Sequence, residues 1–205
     1  MAVFEKVLGK EHPRTATTYN NIASVYSEQG DYPGALEWYR KALAIREEVW
    51  GKKHPHIAAT YNNIASVYYK QGDYPKALEW YGKALAIREE VLGKDHPDTA
   101  ASYDSIGYVY YEQRDYHKAL EWFHRALVVR EKVLGREHPD TANTCSGIAK
   151  AHAELGDYPK ALDLHQKVLA IREKVFGKDH LTTAITHKNI ADVYSKQGDY
   201  GKPLE

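Results

Sequence analysis

The sequence predicts an all-α chain, a solenoid of stacked helix-turn-helix hairpins, and three observations carry that prediction. His-Pro recurs at His12, His54, His96 and His138, and His180-Leu181 fills the fifth slot, so the interval is 42 residues throughout. Within each interval, apolar residues return at i, i+3, i+4 and i+7, the spacing of a single helical face. A break at Gln29-Gly30-Asp31 separates two such stretches, and Pro33 stands where a first-turn proline suits a new helix.

Taken in order, Ala2 to Glu11 aligns with the end of a repeat, so residues 1–11 read as the close of a preceding unit. Four full repeats follow at 12–53, 54–95, 96–137 and 138–179, with a partial fifth at 180–205, in a single array over 1–205. In the first stretch of each repeat, Tyr19, Ile22, Ala23 and Tyr26 and their equivalents share one face. In the second, Ala35, Leu36, Tyr39, Ala42, Leu43, Ile45 and Val49 do the same up to Gly51. That second stretch runs about 18 residues, some 27 Å at a helical rise. Small residues at Ala23, Ala35 and Ala42, and at Ala65, Ala77, Ala84, Gly107, Ala119 and Ala126, let helix axes approach to about 8 to 10 Å. One hairpin alone cannot bury so much apolar surface, whereas stacked neighbours bury it continuously. The first two full repeats are identical at 33 of 42 positions, the mark of recent duplication.

Composition narrows the function. Lys plus Arg (28) equals Asp plus Glu (28), so no net field favours nucleic acid or an acidic membrane surface. No stretch reaches the roughly 18 apolar residues of a membrane span, and the start, MAVFEKVLGKEHP, lacks the apolar core of a secretory signal. Cys145 is the only cysteine, which fits a reducing compartment, and the expected location is cytoplasmic.

Ile22, Ala23, Tyr26, Ala35, Tyr39 and Ala42 reproduce the small-and-large signature of the tetratricopeptide repeat, which this chain resembles over nearly its whole length. That repeat has about 34 residues; the extra residues here fall in the prolonged second helix and the GK-x-HP connector. The pattern HP-x-x-A-x-x-Y-N-N-I-A-x-V-Y…A-L-x-I-R-E-x-V-L-G-K is similar to the 42-residue repeats of kinesin light chain and of nephrocystin-like arrays. The resemblance implies a right-handed α-solenoid whose first helices line a concave groove that holds a protein or peptide ligand.

By the same resemblance, groove residues follow the core tyrosine of each first helix. They are Asn20, Asn21 and Ser24, then Asn62, Asn63, Ser66 and Tyr69, then Asp104, Tyr108 and Tyr111, and finally Lys150 and Asn189. An asparagine amide both donates and accepts, so a column of them can bond an extended peptide backbone; the same side chains can instead fix the neighbouring turn. Ser105 and Gly147 interrupt the column. Tyr69, Tyr108 and Tyr111 are expected to form an aromatic anchor patch, or else to pack between repeats. Asn20, Ser24 and Asp104 stand where a chaperone-type carboxylate clamp needs other residues, which disfavours that partner class.

No cofactor is expected, and no enzyme. The chain lacks a phosphate-binding loop, G-x-S-x-G, H-E-x-x-H and kinase signatures. Five of its eleven histidines are connector residues separated by helix pairs, too far apart to share an ion, and His54 with His56 has no third ligand in register. Cys145 replaces a core tyrosine and reads as a buried packing thiol. Arg46, Arg88, Arg130 and Arg172 recur in an Ile-Arg-Glu or Val-Arg-Glu context that could be taken for an anion-binding row, but their acidic neighbours favour solvated ion pairs. The expectation is therefore a non-catalytic protein-protein interaction module, an adaptor or scaffold. Two alternatives stand beside it: a sensor array of a NACHT or NB-ARC-type signalling ATPase, and a structural array that self-associates end to end.

Overall fold

A computed structural model describes residues 12–198 of the chain. The described residues form nine α-helices and no strand. They are α1 (Pro13–Glu28), α2 (Tyr32–Trp50), α3 (Pro55–Lys70), α4 (Tyr74–Val91), α5 (Pro97–Glu112), α6 (Tyr116–Val133), α7 (Pro139–Glu154), α8 (Tyr158–Phe176) and α9 (Leu181–Gln197). Odd-numbered helices are the first of each hairpin and even-numbered ones the second, as the 42-residue period requires. The expected helix end at 2–11 and the second helix of the fifth repeat lie outside the described residues. The chain divides into two compact units, Met1–Lys94 with α1 to α4 and Asp95–Glu205 with α5 to α9, and the boundary falls at the third His-Pro connector.

Local chemistry explains why each helix starts where it does. The connector histidine is the N-cap of every first helix. The Nδ1 atoms of His12, His54, His96, His138 and His180 accept the backbone N–H two residues on, at 3.1 to 3.2 Å. An accepting Nδ1 requires the neutral ring, and the proline that follows four of them has no N–H to leave orphaned. Each second helix is capped by an aspartate instead: Asp31, Asp73, Asp115 and Asp157 accept from the N–H three residues on, at 3.0 to 3.4 Å. The repeat thus places a capping residue before both helices, and the His-Pro connector and the Asp turn are the two halves of its punctuation.

The hairpin turn needs one residue in the left-handed region. Gly30, Gly72, Gly156 and Gly198 take φ of +76 to +83°, a conformation in which a side chain is strained; in the third repeat Arg114 takes φ of 63°.

Inside the hairpins, Ala23, Ala35 and Ala42 and their equivalents in α3 and α4 are fully buried, so the helices meet backbone to backbone as their small side chains predict. The third repeat packs differently. Phe123 of α6 is fully buried against Gly107 of α5 and Gly147 of α7, where an added Cβ would come within 2.7 Å and 3.0 Å of the ring. Gly147 interrupts the asparagine column for that reason: a side chain there would displace the phenyl ring.

Within each unit, successive hairpins are joined by a buried arginine, which corrects the expectation of solvated ion pairs for Arg46, Arg130 and Arg172. Arg46, Arg130 and Arg172 are 6, 8 and 7% exposed. Each donates from Nη1 to a backbone carbonyl ten residues on and to a threonine hydroxyl fourteen residues on. The partners are His56 and Thr60 at 3.3 and 2.6 Å, Asp140 and Thr144 at 2.7 and 2.7 Å, and Thr182 and Thr186 at 3.1 and 2.8 Å. The acidic neighbours point elsewhere, because a helix face that buries position i turns i+1 outward.

Arg114→Gly is expected to raise stability by about 1 kcal/mol, since glycine carries no left-handed penalty. A urea midpoint unchanged or lowered by this substitution would refute the strain assigned to that turn.

Candidate binding cleft

The candidate site of the second unit is built on the first helices α5, α7 and α9, with the joining arginines of α6 and α8 beneath them. A cleft of about 400 Å³ is lined by Asp104, Ser105 and Tyr108 of α5, Asn143, Ser146 and Lys150 of α7, Ile185 and Asn189 of α9, together with Ala101, Arg130 and Arg172. A second cleft of about 250 Å³ is lined by Tyr111, Lys150, Ala153, Glu154 and His165, and by Lys188, Asn189, Asp192, Val193 and Lys196. Lys150 and Asn189 line both clefts.

Of the residues singled out from the sequence, Asp104, Tyr108, Tyr111, Lys150 and Asn189 line these clefts. Tyr108 also packs edge-on against Phe123, at 4.9 Å between ring centres. Tyr111 stacks edge-on with Tyr116 at 5.4 Å and donates its hydroxyl to Glu154 at 3.2 Å. Each tyrosine therefore has one face committed to packing within its own unit.

In the first unit, Asn63 Nδ2 donates to Asn20 Oδ1 at 3.1 Å, a bond between α1 and α3. Lys70 repeats that diagonal step of 43 residues by donating to Ser27 at 3.3 Å. The Ser24 hydroxyl bonds Tyr39. Asn62 and Ser66 are half-buried and Asn21 is exposed. Tyr69 packs on Tyr74 at 6.1 Å within the same hairpin.

Electrostatics divide the cleft residues into satisfied and unsatisfied groups. Asp104 is ion-paired with Arg130 and accepts from Thr144 at 3.1 Å through Oδ2, while its buried Oδ1 has no partner. Burial raises the Asp104 carboxyl to about 6, a push that Arg130 and Thr144 only partly oppose. Burial likewise pushes the Tyr108 hydroxyl up to about 12. Asn189 Nδ2 is buried without a partner. His165 is fully buried with neither ring nitrogen bonded, and burial lowers it to about 4, with Lys150 and Arg172 adding to the effect. It stands in the series Tyr39, Tyr81 and Phe123, a core position.

Arg130 and Arg172, expected as solvated ion pairs, line the first cleft, and Asn143 and His165, absent from the expected groove residues, line the first and second clefts. The first two carried a legible signal, a threonine fourteen residues after Arg46, Arg130 and Arg172. Asn143 and His165 carried none, because each stands at a position that the other repeats fill with a different kind of residue.

Cys145 is half-buried, and its thiol is pushed up to about 11 by burial and by Glu131 and Asp104, which keeps it out of the reactive range. No group of three metal-ligating side chains occurs among the described residues, and His54 and His56 stack on Trp50 at 4.9 and 4.6 Å. No helix among them is long and apolar enough to cross a membrane.

A tetratricopeptide repeat family model matches residues 56–127, 105–174 and 146–202, and a second model of the same description matches residues 15–56. The chain belongs to the tetratricopeptide repeat family. A search of curated protein sequences gave no significant match. Among solved structures, this repeat array is similar to BtubC (BKLC) from P. vanneervenii, with a TM-score of 0.79 and 22% identity over 92% of this chain and 75% of that one. It is also similar to the nearly identical TPR-like repeats of a Podosopora anserina protein described as a kinesin light chain, with a TM-score of 0.75 and 24% identity over 91% and 88%. The apo form of RapI aligns with a TM-score of 0.74 and 21% identity over 91% and 65%. At these identities the likeness establishes the fold, a tetratricopeptide array similar to those of kinesin light chain-like proteins.

Asp104 and His165 oppose each other in acid. The folded state holds a proton on Asp104 that the unfolded chain, near 3.8, has lost, so this carboxyl makes stability fall as pH rises from about 4 to 6. His165 stays neutral where the unfolded ring, near 6.5, is charged, so stability falls as pH drops from about 6.5 to 4. Urea midpoints at pH 4.5 and 6 are expected to rise with pH more steeply in Asp104→Asn than in wild type, and to fall with pH in His165→Phe. Parallel pH profiles in all three proteins would refute this assignment.

Proposed function

We propose that the chain is a non-catalytic binding module, an adaptor or scaffold, that holds an extended segment of another protein against α5, α7 and α9. The observation that carries this reading is the 400 Å³ cleft, whose lining residues Asp104 and Asn189 each hold one buried polar atom, Oδ1 and Nδ2, without a partner. A buried acceptor and a buried donor without partners each cost about 1 to 3 kcal/mol, and a peptide backbone, with its alternating N–H and C=O groups, satisfies both. Tyr108 lines the same cleft and supplies a surface half apolar and half polar, the kind that anchors partners.

Membership of a repeat family whose members act as protein-protein interaction modules supports the same reading, as does the likeness to BtubC, to kinesin light chain repeats and to RapI. Burial raises the Tyr108 hydroxyl in the cleft and the Cys145 thiol of the same unit, which makes both poor nucleophiles at neutral pH.

The test is selection from a displayed random-peptide library followed by affinity measurement of the selected peptides. Asn189→Ala and Tyr108→Phe are expected to weaken them by roughly fivefold or more, a loss of about 1 kcal/mol. Val128→Ser, on an exposed position, should leave affinity unchanged. If no peptide is selected, or if all three variants bind as wild type does, the cleft is not the recognition site.

A further inference from the structure

We infer that Lys150 is a carbamylation site: its amine takes up carbon dioxide reversibly, and the carbamate formed gives Arg172 the counter-ion that the chain itself omits. The inference goes beyond the peptide-binding reading and does not depend on it.

The two arginines of this unit differ in one respect. Arg130 bonds the Asp140 carbonyl and the Thr144 hydroxyl, and Asp104, twenty-six residues earlier, neutralises it. Arg172 makes the same two bonds one repeat on, to Thr182 and Thr186, but Ser146 stands where that aspartate would. Its further partner, Asn143 Oδ1 at 2.8 Å from Nη2, is also uncharged. Among the described residues, therefore, no carboxylate pairs with a guanidinium that is 7% exposed. An uncompensated buried cation is costly, so a negative charge formed beside it is stabilised.

Lys150 is the residue in place to form one. It stands one helical turn after Ser146 and lines the 400 Å³ cleft together with Arg172, and it lines the 250 Å³ cleft as well. It is half-buried, and its ammonium makes no ion pair among the described residues. Burial above all, with the Arg172 and Lys188 charges beside it, holds that ammonium below its usual range, while Glu112 and Asp192 act the other way. More of the amine is neutral than at an exposed lysine, and only the neutral amine is a nucleophile. Asn189 lines both clefts, and its buried Nδ2 has no acceptor.

In the reaction, neutral Nζ attacks the carbon of carbon dioxide. The C–N bond forms, one C=O electron pair moves onto oxygen, and the amine proton leaves to water, since buried His165, at about 4, is too weak a base to keep it. No oxidant or reductant is consumed. The product is a planar anion with two oxygens, suited to the guanidinium of Arg172 and the amide of Asn189. Other electrophiles fit the site less well: an aldehyde would leave an imine and an acyl donor a neutral amide, and both leave Arg172 without a counter-ion.

The test is incubation near neutral pH in isotopically labelled bicarbonate, followed by triethyloxonium, which ethylates carbamate oxygen, and by tryptic peptide mapping. Lys150 is expected to carry the labelled adduct at roughly ten times the occupancy of the exposed Lys178, the equivalent of one charge-assisted hydrogen bond. Bicarbonate should also raise the urea midpoint of wild type, and leave Lys150→Arg where chloride of equal ionic strength leaves it. Ser146→Asp gives Arg172 the partner that Arg130 has, and is expected to bring the Lys150 adduct down to the level of Lys178. Asn189→Ala should lower it several-fold and serves if Ser146→Asp does not fold. Equal occupancy at Lys150 and Lys178 overturns the site. A midpoint that rises as much in Lys150→Arg means bicarbonate bound as a free anion and overturns the covalent step. An adduct undiminished in both Ser146→Asp and Asn189→Ala overturns the role given to Arg172. Peptide-library selection bears on the binding module alone, so the two readings fail separately.

Discussion

A buried arginine that crosses from the second helix of one repeat to the first helix of the next is the interaction on which each of the two units depends. Burial removes its charge from water, so the guanidinium must find acceptors or destabilise the interface. It finds them at fixed chain distances, a carbonyl ten residues on and a threonine hydroxyl fourteen residues on, in three places. A hydrophobic interface tolerates sliding, because one apolar contact substitutes for another. A hydrogen-bonded guanidinium does not, since a shift of one residue leaves a buried donor unpaired. The arginines thereby set the register in which hairpins stack.

That register places everything else. Neighbouring first helices meet along a 43-residue diagonal, which joins Asn20 to Asn63, Ser27 to Lys70 and Tyr111 to Glu154. The histidine and aspartate caps fix where each helix begins, so a given repeat position falls at the same place along its own helix in each hairpin. Phe123, lodged against Gly107 and Gly147, shows how a core change in one helix alters the lining of the next. An asparagine is excluded from position 147 by a ring that belongs to the previous hairpin.

The candidate cleft lies where this repetition is imperfect. In a perfect repeat every buried polar group would meet the partner its neighbour meets. Asp104 gives Arg130 a counter-ion, whereas Ser146 gives Arg172 none. His165 replaces an aromatic ring and brings two unbonded nitrogens into the core. These departures concentrate unsatisfied polarity in α5, α7 and α9 and their supports, which is where a ligand has most to offer.

The sequence by itself determined the all-α class, the 42-residue period, the hairpin with its left-handed turn, and the small residues at helix contacts. Each of these follows from local chemistry and from the periodicity of a single helix, both of which are written along the chain. It also pointed to Asp104, Tyr108, Tyr111, Lys150 and Asn189, because equivalent positions in a repeat face the same side. Only the tertiary structure decided that Arg46, Arg130 and Arg172 are buried rather than solvated, that Asn20 and Asn63 bond each other, and that Gly147 makes room for Phe123. Those outcomes depend on which residue of one repeat lies opposite which residue of the next. That is a property of packing between hairpins, and no single helix carries it.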